Sequence, residues 1–433
     1  MEGYKNLNTY SMFQNYFRIG WRNLLRSRGY SLINIGGLAV GIAVAMLIGL
    51  WIKDELSYED YHDRRDRIAQ VMQHQTFNGI RRTGNSVPYP LAGEIQKSYG
   101  DEFKHVVMSW WMGDHILTYS ENKFSRSGLF MTEGAPDLLA LKMVRGSHGN
   151  LRDLHGILLS ESTANAFFGD RDPINEMMRI DNLMDVKVTG VYADMPHNSQ
   201  FKDLNFIASW DLFVSTQSWI QNARDSRQWD NSSFQLYVEI SDNADMRLAS
   251  EKIRNIKYDL SEQDRQYKPG FFLHPMNDWH LRSSWENGIR SGGLIQYVWL
   301  FGIIGVFVVL LACINFMNLS TARSEKRARE VGIRKVVGSA RFQLVNQFLI
   351  ESFLVVMIAF VMALVTVLIA TPQFNVLTSK QIIFPLHDSG FWISGAVFVL
   401  ITAVLFLDSK VLIFDCLCCD LLTGSSEFIV TLP

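Results

Sequence analysis

Four apolar runs divide the chain. Residues 31–52, SLINIGGLAVGIAVAMLIGLWI, carry no charge over 22 positions. As a helix that is about 33 Å, enough to cross a bilayer core. Residues 294–314 form a second run, and residues 348–371 a third with Glu351 near its start. Residues 390–407 form a fourth, at the short end of the spanning range. The pattern predicts an α-helical integral membrane protein with four transmembrane helices. The first run is too long for the apolar stretch of a signal peptide and lacks a clear small-residue cleavage site, so it reads as a retained span.

Between the first two runs the pattern changes. Residues 53–293 are globular in composition, with short alternating stretches and scattered turn residues. VKVTGVY at 186–192 and FQLYVEI at 234–240 predict strands. Residues 60–74, 91–98, 162–168 and 245–260 predict helices. The expected fold is a large α+β extracytoplasmic domain inserted between helices 1 and 2, large enough to divide into two lobes.

Charge orients the spans. The chain has 433 residues, 48% hydrophobic, with a formal net charge of −2, so nothing in the total points to nucleic acid. Residues 1–30 carry Arg18, Arg22, Arg26 and Arg28 against Glu2 alone. Lys and Arg resist translocation, which predicts a cytoplasmic N-terminus. Phe13, Tyr16, Phe17, Gly20, Trp21 and Leu24 share one face of this amphipathic segment, with Arg18, Arg22 and Arg26 roughly opposite, as in a helix lying in the membrane interface. A soluble helix packed on another domain is the alternative. A second basic block holds seven Lys/Arg between Arg323 and Arg341, against Glu325 and Glu330. It places the loop 323–347 on the cytoplasmic side. Residues 372–389 carry only Lys380 and Asp388, as expected of an outside loop. The tail 408–433 is apolar, cysteine-rich and unpatterned, and is expected to be irregular; in composition it is closer to a shifted reading frame or a truncated end than to a domain.

Several separated stretches occur in an order that resembles one family. They are RIGWRNLLRSRGYSLINIGGLAVGIA from Arg18, LLSESTANAFFGDRDPI, VKVTGVYADMPHNSQF, and LLACINFMNLSTARSEKRAREVGIRK leading into VVGSARFQLVNQFLIES. The extracytoplasmic part resembles the periplasmic core domain of the MacB type. The part from 294 to 407 resembles the FtsX-like permease domain of bacterial ABC transporters. The resemblance runs from Met12 to about Leu407. It implies a non-catalytic, multi-pass permease subunit of the bacterial inner membrane, coupling ATP hydrolysis elsewhere to motion of a periplasmic domain for efflux or export. It implies a cytoplasmic ABC ATPase dimer as partner, with ATP and Mg bound there, and the chain itself has no G-x-x-x-x-G-K-[ST] loop. Membrane lipids, a periplasmic adaptor and an outer-membrane duct are further partners within its compass. Similar permeases usually carry eight spans, so this chain would supply one half, paired with a copy of itself or with a second half. A signalling subunit that activates a periplasmic enzyme or senses a ligand is the alternative function.

Two groups of residues are the site candidates. Glu330, Gly332, Ile333, Arg334, Lys335 and Gly338 form a short helix-and-stop unit, with Gly338 suited to a left-handed cap. By the resemblance this is the coupling helix that seats on the ATPase. A basic face held on anionic headgroups is the competing reading. Gly37, Gly41, Ala45 and Gly49 recur every four residues in the first span, as on a close helix-packing face, although glycine is common in membrane helices generally. Glu351 could pair with an arginine of the basic block, and Asn315 and Asn318 could bond neighbouring helices. His274, Trp279 and His280 cluster before the second span, but no H-E-x-x-H or G-x-S-x-G pattern supports a metal or serine enzyme. The CLCC run lacks zinc-ligand spacing.

Overall fold

The computed structural model describes residues 28–336 and 341–422, with Arg18, Trp21, Arg22 and Leu25. The chain divides into two compact units: Asp54–Val298, and Met1–Lys53 with Trp299–Pro433.

The first unit is built on a 13-stranded sheet and a separate hairpin. The strands are β1 (Ile68–Phe77), β2 (Ile80–Gly84), β3 (Val87–Pro88), β4 (Phe103–Ser109), β5 (Gly113–Tyr119), β6 (Asn122–Met131), β7 (Met143–Arg145), β8 (Gly156–Ser160), β9 (Met177–Ile180), β10 (Met184–Tyr192), β11 (Phe206–Ser209), β12 (Ser232–Ile240), β13 (Gly270–Pro275), β14 (Ser284–Glu286) and β15 (Ile289–Gly292). Pairings divide the large sheet into two groups. One is open, in the order β4-β12-β1-β13, with β2 on β1 and β3 on β12. The other closes on itself, β6-β5-β9-β10-β8-β11 and back to β6, with β7 on β10. Closure leaves the ring without an edge strand. The groups meet through one β4–β6 pair, Ser109 opposite Met131. Two lobes thus share one continuous sheet. The reversals at Asn78–Gly79 and Asn287–Gly288 both have two positive φ angles, the geometry that joins adjacent antiparallel strands most tightly.

The predicted strands at 186–192 and 234–240 lie in β10 and β12. The helices expected at 91–98 and 162–168 are Pro90–Tyr99 and Glu161–Phe168, the latter capped by Ser160 accepting from the Thr163 amide. Two expectations fail. Residues 60–74 are not a helix: turns lead into β1, whose first six residues are all buried. A strand covered on both faces shows no polar–apolar alternation. Residues 245–260 form two helices, Met246–Ile253 and Ile256–Leu260, broken at Arg254, whose carbonyl accepts instead from the Phe271 amide at the start of β13.

The second unit is helical. Its long helices are Arg28–Leu56, Ile295–Val336, Arg341–Thr378 and Ser389–Leu422. Three contain segments long and apolar enough to cross a membrane: Ser31–Leu56, Ile295–Leu319 and Leu349–Thr378. The fourth offers a shorter apolar stretch, Ser389–Leu405, among the described residues. The third helix forms the core, with Val355, Val356, Ala359, Phe360, Ala363 and Val367 buried with Leu38, Ala39 and Ile42 of the first. Two boundaries move. The third helix passes through Pro372 to Thr378, so the following loop starts later than residue 372. The fourth continues to Leu422, into the tail expected to be irregular. No Gly or Pro stands between 408 and 422 to stop it.

Candidate functional site

Glu330, Gly332, Ile333, Arg334 and Lys335 lie in the last turns of the helix Ile295–Val336. They continue the second span and are not a separate short helix, because no proline interrupts the 42 residues. Gly338 lies outside the described residues.

The small-residue stripe splits. A side chain begun at Gly41 would place its Cβ 2.5 Å from the Cβ of Ala312. The same antiparallel crossing sets Gly37 against Asn315, Ile48 against Gly305 and Ile52 against Gly302. Trp51 and Phe301 close it edge to face at 5.1 Å. Gly37 and Gly41 therefore serve packing within this chain. Ala45 and Gly49 open onto space instead. Ala45 lines a cavity of about 280 Å³ with Val309, Phe360 and Phe398. Gly49 lines one of about 330 Å³ with Lys53 and Asp388, and both cavities share Met46, Phe391 and Ser394. Lys53 Nζ lies 2.9 Å from Asp388 Oδ2 and holds that carboxyl below its usual range. Asn375 fixes the intervening loop by donating to the Ile382 carbonyl and accepting from its amide, each at 3.0 Å. Glu351 is buried in this unit.

The densest polar constellation lies elsewhere, where the first long helix ends. Asp54 and Glu55 sit on its last turn. Each meets a histidine from far along the chain: Asp54 Oδ1 is 3.0 Å from His197 Nε2, and Glu55 Oε2 is 2.5 Å from His280 Nε2. Tyr58 stacks on His280 with ring centres 3.4 Å apart. Glu59, 1% exposed and at a positive φ of 62°, receives Ser199 Oγ at 2.9 Å and the Gln200 amide at 2.6 Å. The Glu59 amide donates to the Asn198 carbonyl at 2.9 Å, and Asn198 Nδ2 donates to the Ser57 carbonyl at 2.6 Å. Burial pushes the Glu59 carboxyl up; the Gln200 and Ser199 donors pull it back. Eight residues after the helix, Arg64 bonds the fully buried Glu239 of β12 at 2.7 Å and the Asp137 carbonyl at 2.9 Å.

The helix end is thus gripped by the HNSQ segment at 197–200 and by His280. These contacts tie the helix end to segments about 140 and 225 positions further along the chain. No group of His, Cys, Asp and Glu suited to a metal occurs among the described residues. His280 belongs to the clamp, while Trp279 donates to the His274 carbonyl at 2.9 Å within the domain. Sequence reasoning missed the clamp, although four acids at 54, 55, 59 and 60 directly follow an apolar span. Carboxylates in such a place need partners.

The MacB-like periplasmic core domain family matches residues 31–256, and the FtsX-like permease C-terminal family matches residues 302–408. A macrolide export ATP-binding/permease protein MacB from Neisseria gonorrhoeae is 21% identical over 363 residues, covering 81% of this chain and 51% of that protein. Its counterpart from Salmonella paratyphi A is 23% identical over 369 residues, with 80% and 51% covered. The chain spans about half the length of these curated relatives. Among solved structures, a domain of a putative permease protein from Porphyromonas gingivalis aligns at TM-score 0.42 and 18% identity, covering 49% of this chain and 91% of that one. The periplasmic region of MacB from Actinobacillus actinomycetemcomitans aligns at 0.37 and 15%, covering 50% and 94%.

Proposed function

Because this chain belongs to the family of MacB- and FtsX-type ABC transporter permeases, we propose that it is a mechanical permease subunit. A separate ATPase binds ATP and Mg and closes against the last turns of the helix Ile295–Val336. The displacement travels along the long helices, and the extracytoplasmic domain moves in response to export a substrate. In this reading the protein sits in the bacterial inner membrane with its N-terminus and residues 323–347 in the cytoplasm, as their Lys/Arg content supports.

The observation that carries the reading is the end of the first long helix. It runs unbroken from Arg28 to Leu56, and its last turn bears the carboxylates gripped by His197 and His280. A helix fixed so firmly moves its domain with it. A merely tethering span would need only a flexible linker.

Two variants separate the ends of this transmission. Ile333→Asp puts a charge at the proposed apolar contact and should lose ATPase association. Glu59→Ala leaves the donors of Ser199 and Gln200 unpaired, at a cost of about 1–3 kcal/mol. It should retain ATPase association and lose transport. Co-purification with the ATPase and a transport assay in proteoliposomes read both. Normal transport in either variant, with normal partner binding, would sink the mechanism.

A further inference from the structure

The helical unit carries an apolar groove that the transmission does not use. It holds about 260 Å³ and is lined by Trp21, Leu25, Leu32, Ile35, Ile358 and Met362, with Ser31 and Gly36 completing its wall. Leu32 is 73% exposed, Leu25 53% and Trp21 47%, so the groove is open along one side. No atom lies within 4 Å of where a Cβ at Gly36 would stand.

Charge decides what fills it. Trp21 and Leu25 are one helical turn apart, and Arg18 and Arg22 fall at the i−3 positions beside them, both exposed. Trp21 and Leu25 thus stand at the border of the apolar face, next to the two cations. A second copy of this chain would bring its own arginines against these. An anionic amphiphile satisfies both halves. We propose that the groove is a binding site for one anionic phospholipid of the bilayer, with an acyl chain along Leu32 and Met362 and its phosphate between Arg18 and Arg22. The site pins the N-terminal segment to the bundle formed by the first and third helices. It rests on the membrane placement of the chain and not on the identity of the exported substrate.

The test uses the full chain in nanodiscs of phosphatidylcholine with a minor fraction of phosphatidylglycerol, followed by native mass measurement of retained lipid. The wild-type chain should retain one phosphatidylglycerol in preference to phosphatidylcholine. Arg18→Gln and Arg22→Gln should each weaken retention about fivefold, the equivalent of ~1 kcal/mol per cation near an anionic surface. Gly36→Leu should displace the lipid while leaving thermal unfolding in lipid-free detergent unchanged, since the new side chain enters open space. Leu32→Trp, at an exposed position, repeats the block from the other wall should the first variant fold poorly. Equal retention of both lipids overturns the proposal. So does full phosphatidylglycerol retention in both blocked variants, which would mean headgroup attraction without a groove. Loss of a dimer in place of lipid would name a second chain as the occupant and overturn it too.

Discussion

At the scale of residues, two glycines eight positions apart in one span do opposite things. Gly41 is where the first and second helices touch, and any side chain there must push Ala312 aside. Gly49 meets nothing within 4 Å. Gly41→Leu should therefore lower the thermal stability of the chain in detergent by several degrees, and Gly49→Leu should not; light scattering on heating distinguishes them. Equal effects would show that the crossing is not where the stability resides. His274 gives a second case. It is 3% exposed, and neither ring nitrogen has a hydrogen-bonding partner among the described residues. Burial, with Arg290 nearby, pulls its pKa from 6.5 to about 4. A folded-state value below the unfolded one means that the unfolded chain takes up the proton first. Stability from this residue is therefore present above about pH 6.5 and lost as pH falls toward about 4, by up to ~3 kcal/mol. His274→Phe keeps the volume and cannot be protonated. It should flatten the acid limb of a pH–stability curve followed by tryptophan fluorescence, with little change at neutral pH.

At the scale of elements, what was legible followed the solvent. The apolar runs stood out because lipid demands a helix with few charges, and both interior and exposed faces must be apolar. β10 and β12 were legible from β-branched and aromatic residues. β1 was not, because neighbours on both sides and cover on both faces erase the period of two. The composition changes abruptly at the basic unit and suggests a separate helix, yet through Val336 the backbone continues, because helix geometry responds to breakers and not to charge. The helix runs from Ile295 to Val336, about 63 Å at the usual rise. Its length matters to the proposed transmission. A proline at Ala322 would remove a backbone hydrogen bond and cost ~3 kcal/mol in helix continuity. Ala322→Pro should leave the ATPase bound and its basal hydrolysis intact, while abolishing nucleotide-dependent changes in a spectroscopic label placed in the extracytoplasmic domain. A label that still responds would rule out the helix as the lever.

At the scale of the whole molecule, the proposed ATPase dimer would need two contact helices, and the helix Ile295–Val336 is the candidate for one of them. The proposed assembly therefore has two permease halves and two ATPase subunits. Native mass measurement of the complex in lipid should give that ratio, and an active complex with one permease half and one ATPase would refute it. The clamp around Glu59 was the part of the site hardest to foresee, since its partners lie about 140 positions away and no local spacing announces them. The same remoteness runs through the sheet. β1 pairs with β12 and with β13, Ala69 standing opposite both Val238 and Pro275. The first strand made is thus completed by the last two of the large sheet. During synthesis its Gln73–Phe77 end can pair at once with β2, but the edge that takes β13 stays open until residue 275 has been made. Pairing across so much chain is slow, and a waiting edge invites aggregation. On the proposed topology that wait happens outside the membrane, while the next hydrophobic helix is already arriving at the translocon. Premature release, stalling or a cut within this window would leave a half-sheet with an open edge, a template for pairing with another chain.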